Sequence, residues 1–197
     1  MNNLFPPELR TASVVQRWSI VRKLQSDNVA EHSFFVTNYA VAIANLIKWE
    51  GPLDALMFAA LLHDSEEFVT GDIVSPVKHG ILDEDKFEAF IEDQMNARLP
   101  MMRARLQTIL RDEKWGRDVQ LIIKVADKVD AAIFLILEQR MGNSVLGGLI
   151  NDALLNLKDA WYKLCIDMGG VSYSLWGDHI YPAVQAHHKY GSIGIHD

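Results

Sequence analysis

Residues 27–48 read Asp27-Asn28-Val29-Ala30-Glu31-His32-Ser33-Phe34-Phe35-Val36-Thr37-Asn38-Tyr39-Ala40-Val41-Ala42-Ile43-Ala44-Asn45-Leu46-Ile47-Lys48. Val29, His32, Val36, Tyr39, Ile43 and Leu46 recur at alternating steps of three and four, the spacing that aligns side chains along one stripe of an α-helix. Asp27-Asn28 followed by Glu31 has the form of an N-cap with its capping-box partner. The spacing therefore predicts an amphipathic helix from Val29 to about Lys48. One member of the stripe does not suit a core. His32 lies near the N-terminal end of a face that is otherwise apolar, and an imidazole buried without a partner is costly.

The helical period continues along the chain. Gly51-Pro52 ends this helix and opens a second, since Pro is tolerated at the first helical position. Leu53, Leu56, Met57, Ala60 and Leu61 carry the second helix to about Val69. Thr70-Gly71-Asp72 through Ser75-Pro76 reads as a loop by its turn residues. A charged helix is expected over 83–98, broken by Pro100, with a short one to follow. Trp115-Gly116 is a break, and Asp118 is expected to cap a long helix through Val119, Ile122, Ile123, Ala126, Val129, Ile133 and Leu137, ended by Gly142-Asn143. Leu154, Leu157, Trp161 and Leu164 mark another helix ending at Gly169-Gly170, and a last one is expected over about 174–190. Strand patterns are nearly absent and nothing resembles an interdomain linker. The expectation is an all-α helical bundle, with residues 1–197 as one domain.

Composition narrows the function classes. The chain has 197 residues, 49% of them hydrophobic and 23% charged, which is too apolar for disorder and enough for a real core. Its net charge of -7 argues against a general binder of long nucleic acid. Met1-Asn2-Asn3-Leu4-Phe5-Pro6-Pro7 lacks the layout of a signal peptide, and no apolar run approaches the ~18 residues of a membrane span, so a cytoplasmic protein is expected. A single Cys165 excludes a disulfide framework and a Cys-based zinc cluster. A metal site would have to use His and carboxylates. The C-terminal helices with Trp161 and Trp176 allow a homodimer interface, and equally they complete the monomer's own core.

Polar residues do interrupt the core faces. Ala60, His63, Asp64 and Glu67 share one side of the second helix, and Asp127 flanks the apolar face of the long helix. Each has a plain reading: His32 as a hydrogen-bonded core histidine, His63-Asp64 as a chance dipeptide, Asp127 as a solvated carboxylate beside Lys124 and Lys128. Taken together, His32, His63, Asp64 and Asp127 fit a divalent ion such as Mn, Co, Fe or Zn, with Mg also compatible. Four such ligands leave positions open for water and a substrate oxygen. Arg17, Arg22 and Lys23 form the basic cluster nearest these residues, as a draw for an anionic nucleotide or as an exposed turn. His179, His187, His188 and His196 read as solvated or helix-end residues, and His79 lies close to the 70–76 loop.

Glu31-His32, His63-Asp64 and the later Asp127 resemble the H…HD…D signature of the HD-domain metal-dependent phosphohydrolases. Arg17-Trp18-Ser19-Ile20-Val21-Arg22, Asn28-Val29-Ala30-Glu31-His32-Ser33, His63-Asp64-Ser65-Glu66-Glu67, Thr70-Gly71-Asp72 and Ser75-Pro76-Val77-Lys78 narrow the resemblance to the bacterial 5'-deoxynucleotidase branch. The resemblance implies that His32, His63, Asp64 and Asp127 bind one divalent metal, and that Glu67 is the acidic residue beside the attacking water. It implies that Arg17 holds the phosphate, as a planar guanidinium suits, and that Trp18 closes on the sugar to help exclude a 2'-hydroxyl. Asp72, counted with Glu67 and Arg17 as catalytic, would contact the nucleoside together with Ile73, Val74 and Ser75, with His32, Asp64 and Asp127 also facing the substrate. Lys78 stands as a second phosphate contact or a surface charge.

The implied reaction is hydrolysis of deoxynucleoside 5'-monophosphates. Two alternatives stand beside it: a deoxynucleoside triphosphate triphosphohydrolase of the same fold, and a non-catalytic nucleotide-binding module. The implied partner is a small deoxynucleotide, with no long nucleic acid and no membrane.

Overall fold

In the computed structural model the described residues are 6–74 and 83–189. They form α1 (Glu8–Thr11), α2 (Val29–Leu46), α3 (Leu53–Leu61), α4 (Glu67–Thr70), α5 (Glu84–Arg98), α6 (Pro100–Leu110), α7 (Gly116–Arg140), α8 (Gly147–Met168) and α9 (Tyr181–Ala186). The fold is all-α; the one pairing of extended backbone among these residues is an isolated antiparallel bridge between Gln16 and Asn28. No helix among them is long and apolar enough to cross a membrane.

Helix α7 is the axis of the bundle. Val119, Ile122, Val125, Ala126, Ala132 and Ile136 are fully buried along it, and it packs against α8 on one side and α2 on another. Trp161 on α8 is 0% exposed within a single chain, so it completes the monomer's core. Its truncation to Ala would cost roughly 3–5 kcal/mol. Helix α2 begins where the pattern predicts, with Asn28 Oδ1 accepting from the Glu31 N–H at 3.1 Å. Asp83 caps α5 in the same way through the Lys86 N–H. Helices α7 and α8 end at residues of positive φ, Gly142 at 104° and Gly169 at 63°, a region that favours glycine.

Three boundaries differ from expectation. The second helix does not run unbroken to Val69. It stops at Leu61, and residues 62–66 form tighter turns, with Ser65 N–H bonded to the Leu62 carbonyl at 3.1 Å and Glu67 N–H to Asp64 at 2.9 Å. The cause is local: His63 Nδ1 donates to the Ala60 carbonyl at 2.8 Å, drawing the chain into an i to i+3 turn. Asp118 does not cap α7, because its carboxylate accepts from Trp49 Nε1 at 3.0 Å. The turn into α7 is held by Asp112, which accepts from the N–H groups of Lys114 and Trp115. The last helix divides into a π-helical turn, Trp176–Ile180, and the short α9. Pro182 has no N–H with which to continue the ladder.

Candidate metal centre and active site

Three elements carry four of the expected side chains to one place. His32 is on the first turn of α2, His63 and Asp64 are in the tight turn after α3, and Asp127 is midway along α7. His32 Nε2 lies 3.2 Å from His63 Nε2, 3.3 Å from Asp64 Oδ2 and 3.6 Å from Asp127 Oδ1. His63 Nε2 is 3.2 Å from Asp64 Oδ2. His32, His63 and Asp127 offer ligand atoms that all lie within 4.8 Å of one another.

The donor set fits a single divalent cation. Ligand atoms about 2.0–2.2 Å from one ion stand about 3.0–3.6 Å apart in octahedral or tetrahedral arrangements, which matches these separations. The tautomers agree. Ala60's carbonyl can only accept, so His63 carries its proton on Nδ1 and turns a lone pair on Nε2 inward. His32 Nδ1 faces Asp130 Oδ2 at 2.7 Å, which holds its proton there and likewise frees Nε2. With His32 Nε2 unprotonated, two lone pairs and the carboxylates of Asp64 and Asp127 face one another, an arrangement stabilised by a cation or, without one, by a proton on His32.

Protonation follows from these contacts. Burial alone would lower the His32 pKa, but hydrogen bonds to Asp130 and Asp64 raise it to about 9. Burial opposes ionisation of Asp64, yet the His63 and His32 imidazoles hold its carboxyl well below the usual range. Asp127 is likewise lowered against the effect of burial, chiefly by Lys128, whose Nζ is 2.9 Å from Asp127 Oδ2. Both plain and functional surroundings of Asp127 thus coexist: one oxygen toward Lys128, the other toward His32.

Glu67 opens α4 beside this cluster. Burial and the charges of Asp64 and Asp72 push its pKa up to about 8. Its buried Oε2 has no hydrogen-bond partner among the described residues, as suits a group whose partner is water or substrate. Asp72, Ile73 and Val74 are half-buried in the following loop. Ser75, Lys78, His79 and His196 lie outside the described residues.

Arg17 and Trp18 sit in the segment between α1 and α2. The Arg17 side chain is 13% exposed, and Nη1 pairs with Asp27 at 2.9 Å and Asp130 at 3.5 Å. Trp18 stacks on Phe134 at 5.6 Å between ring centroids and has φ of 59°, a strained conformation for a bulky residue. The basic cluster is mostly spent on structure. Lys23 Nζ donates to the Arg17 carbonyl and Arg17 pairs with Asp27 and Asp130, whereas Arg22 is exposed and is engaged through its backbone carbonyl, which accepts from Asn143.

Asp27, Asp130, Glu138 and Asn143 escaped sequence reasoning. Asp130 had a readable signal, standing one turn beyond Asp127 on the same helix. Glu138 had one also, as a charge at the third step of the stripe Asp130, Phe134, Glu138. Asp27 and Asn143 had none beyond their turn-forming character.

The arrangement has known counterparts. An HD-domain phosphohydrolase from Listeria innocua superposes with a TM-score of 0.64 at 24% identity, over 92% of this chain and 89% of that one. The HD phosphohydrolase DatZ of cyanophage S-2L, solved with dA and one catalytic Zn2+ ion, gives 0.63 at 23% identity, over 96% and 99%. The fold is that of the HD-domain phosphohydrolases. Within that class, residues 5–163 match the model of the YfbR-like 5'-deoxynucleotidases. The 5'-deoxynucleotidase YfbR of Salmonella paratyphi B is 30% identical over 152 residues, covering 73% of this chain and 76% of that protein. The chain belongs to the YfbR-like 5'-deoxynucleotidase family and is a metal-dependent phosphohydrolase acting on deoxynucleotides.

Proposed function

We propose that the protein is a 5'-deoxynucleotidase that hydrolyses deoxynucleoside 5'-monophosphates to the deoxynucleoside and inorganic phosphate. The observation that carries this reading is that His32 Nε2 lies 3.2–3.6 Å from His63 Nε2, Asp64 Oδ2 and Asp127 Oδ1, next to Glu67 and the Arg17–Trp18 pair. His32, His63, Asp64 and Asp127 would hold one divalent cation. When bound, such an ion polarises a phosphoryl oxygen and lowers the pKa of water, supplying a nucleophile near neutral pH.

The chain's own groups do the rest. Glu67, with a pKa pushed to about 8, can orient the attacking water and take or return its proton near physiological pH. Arg17 meets the phosphate with planar N–H donors and offsets charge on its equatorial oxygens as the bond to the 5'-oxygen breaks. Asp27 and Asp130 hold the guanidinium in place beforehand, which lowers the ordering cost on binding. Trp18, braced on Phe134, presents a rigid wall to the sugar, and a rigid wall is what rejecting an added 2'-hydroxyl demands. Asp72, Ile73, Val74 and Ser75 would border the nucleoside.

The test is an assay of Mn- or Co-loaded protein against deoxy- and ribonucleoside mono- and triphosphates, identifying the phosphorus product. Inorganic phosphate released from deoxymonophosphates in preference to ribo- forms is the expected result. Release of triphosphate, or activity unchanged by chelation, overturns it.

A further inference from the structure

The two carboxylate oxygens of Asp127 have different neighbours. Oδ1 faces the cluster, 3.6 Å from His32 Nε2, while Oδ2 accepts from Lys128 Nζ at 2.9 Å. Adjacent residues on a helix do not face one another. This pair forms because the flexible four-carbon stem of Lys128 lets its ammonium group fold back over the preceding side chain. The pair is half-sheltered, with the Lys128 side chain 30% exposed and that of Asp127 18%. Lys124 stands one turn earlier on α7. Burial lowers its pKa and Lys128 lowers it further, so the two ammonium groups are close. Like charges four residues apart on a helix repel, and Asp127 is the countercharge that offsets this.

The Lys128 contact sets how many atoms Asp127 lends to a cation. A carboxylate binds an ion through one oxygen or through both. With one atom each from His32, His63, Asp64 and Asp127, positions stay open for water and a phosphoryl oxygen. A second oxygen from Asp127 would fill one of them. The imidazoles have no such choice, since each ring turns a single nitrogen inward. For Oδ2 to turn inward it has to leave the Lys128 ammonium group, and with it a charge-assisted hydrogen bond.

We propose that Lys128 is a positioning residue that restricts Asp127 to one oxygen toward the metal and so keeps a coordination position free for water or substrate. The inference rests on the metal reading of the cluster given above. Lys128 acts through Asp127 and not on the substrate. A neutral, apolar side chain in its place frees Oδ2, whose new partner is then the divalent cation. Loss of the nearby positive charge also favours the cation. Affinity therefore does not separate the two effects, whereas the number of waters on the ion does.

Water-proton relaxation by Mn2+ bound to the full-length protein counts the exchangeable waters that the ion holds. Lys128→Met should bind Mn2+ more tightly, give less relaxation per bound ion than wild type, and turn over a deoxymonophosphate about tenfold more slowly or worse. Lys128→Arg, which keeps a cationic donor, should restore the wild-type relaxation. Bound Mn2+ and the thermal midpoint are recorded for each variant. Unchanged relaxation per bound ion in Lys128→Met overturns the proposal even where affinity rises, because a distant charge alone would produce that rise. Wild-type protein that takes up no Mn2+ overturns it together with the metal reading. Lys128-dependent relaxation in a protein that hydrolyses no deoxynucleotide would instead refute the proposed activity and leave the role of Lys128 standing.

Discussion

Asp130 Oδ2 lies 2.7 Å from His32 Nδ1 and 3.5 Å from Arg17 Nη1, so one carboxylate serves both an imidazole of the candidate metal cluster and the proposed phosphate-binding guanidinium. Such an outer partner fixes the tautomer and raises the basicity of the imidazole it holds, and its loss typically costs 10–100-fold in metal affinity. Asp130→Asn keeps a hydrogen-bond acceptor but removes the charge. Zinc affinity, measured by competition with a chromophoric chelator, should fall by about tenfold or more, and the Michaelis constant for a deoxymonophosphate should rise. Wild-type values for both would mean that the carboxylate is merely packed there.

Glu67 should separate binding from turnover. Its carboxylate stands beside the cluster, and its Oε2 has no hydrogen-bond partner among the described residues. Glu67→Ala is expected to retain a full complement of metal and to lose roughly 10²–10⁴-fold in kcat, the range for removing a proton-transfer group. Metal analysis alongside steady-state kinetics checks this. Loss of metal in proportion to activity would reassign Glu67 to the ligand set.

The helices were legible because helical periodicity is a local property: the step pattern from Val29 to Leu46 and the caps at Asn28 and Asp83 depend on residues within one or two turns. The cluster was legible for a related reason. His32, His63 and Asp64 break the apolar pattern of two core-facing helices and Asp127 flanks the apolar face of a third, and polar groups on core faces need one another. What stayed hidden depends on contacts between distant segments. Asp118 has the sequence of a cap and the role of a partner to Trp49, 69 residues away. Arg17 reads as a free cation, yet it is paired with Asp130, 113 residues away. The turn at 62–66 arises from a side chain competing for a backbone carbonyl, which no periodicity records.

The metal-free protein should lose stability as pH rises. The folded-state pKa of His32 is raised from its ordinary 6.5 to about 9. A raised pKa means that the folded state binds more protons between the two values, so its stabilisation is complete below 6.5 and is lost as pH climbs to 9. The shift corresponds to roughly 3 kcal/mol. Glu67, raised to about 8, acts in the same direction from about 4.5 upward. A bound cation replaces the His32 proton, so metal-loaded protein should lack most of this slope. Thermal midpoints at pH 6, 7.5 and 9, with chelator and with added metal, measure both. A metal-free midpoint that rises between pH 6.5 and 9 would contradict the His32–Asp130 pairing as the dominant contact.

Glu138 offers the sharpest test of how the segment that carries Arg17 and Trp18 is held. It is 0% exposed, and its two oxygens accept from the backbone N–H groups of Leu24 at 2.7 Å and Gln25 at 2.8 Å and from the Asn143 side-chain amide at 2.8 Å. Asn143 in turn donates to the Arg22 carbonyl at 2.7 Å. This pair therefore fastens residues 22–25 to the end of α7. The other end of the same segment is pinned by the Arg17 N–H to Asp27 carbonyl bond at 3.0 Å. Glu138→Ala strands buried donors at a cost of about 1–3 kcal/mol each, so destabilisation of roughly 3 kcal/mol or more is expected in chemical denaturation. Because Arg17 and Trp18 ride on this segment while the metal cluster is built on α2, α7 and the turn after α3, the Michaelis constant should rise severalfold with metal affinity little changed. Equal losses in both would show that Glu138 supports the bundle as a whole and not the segment that presents Arg17.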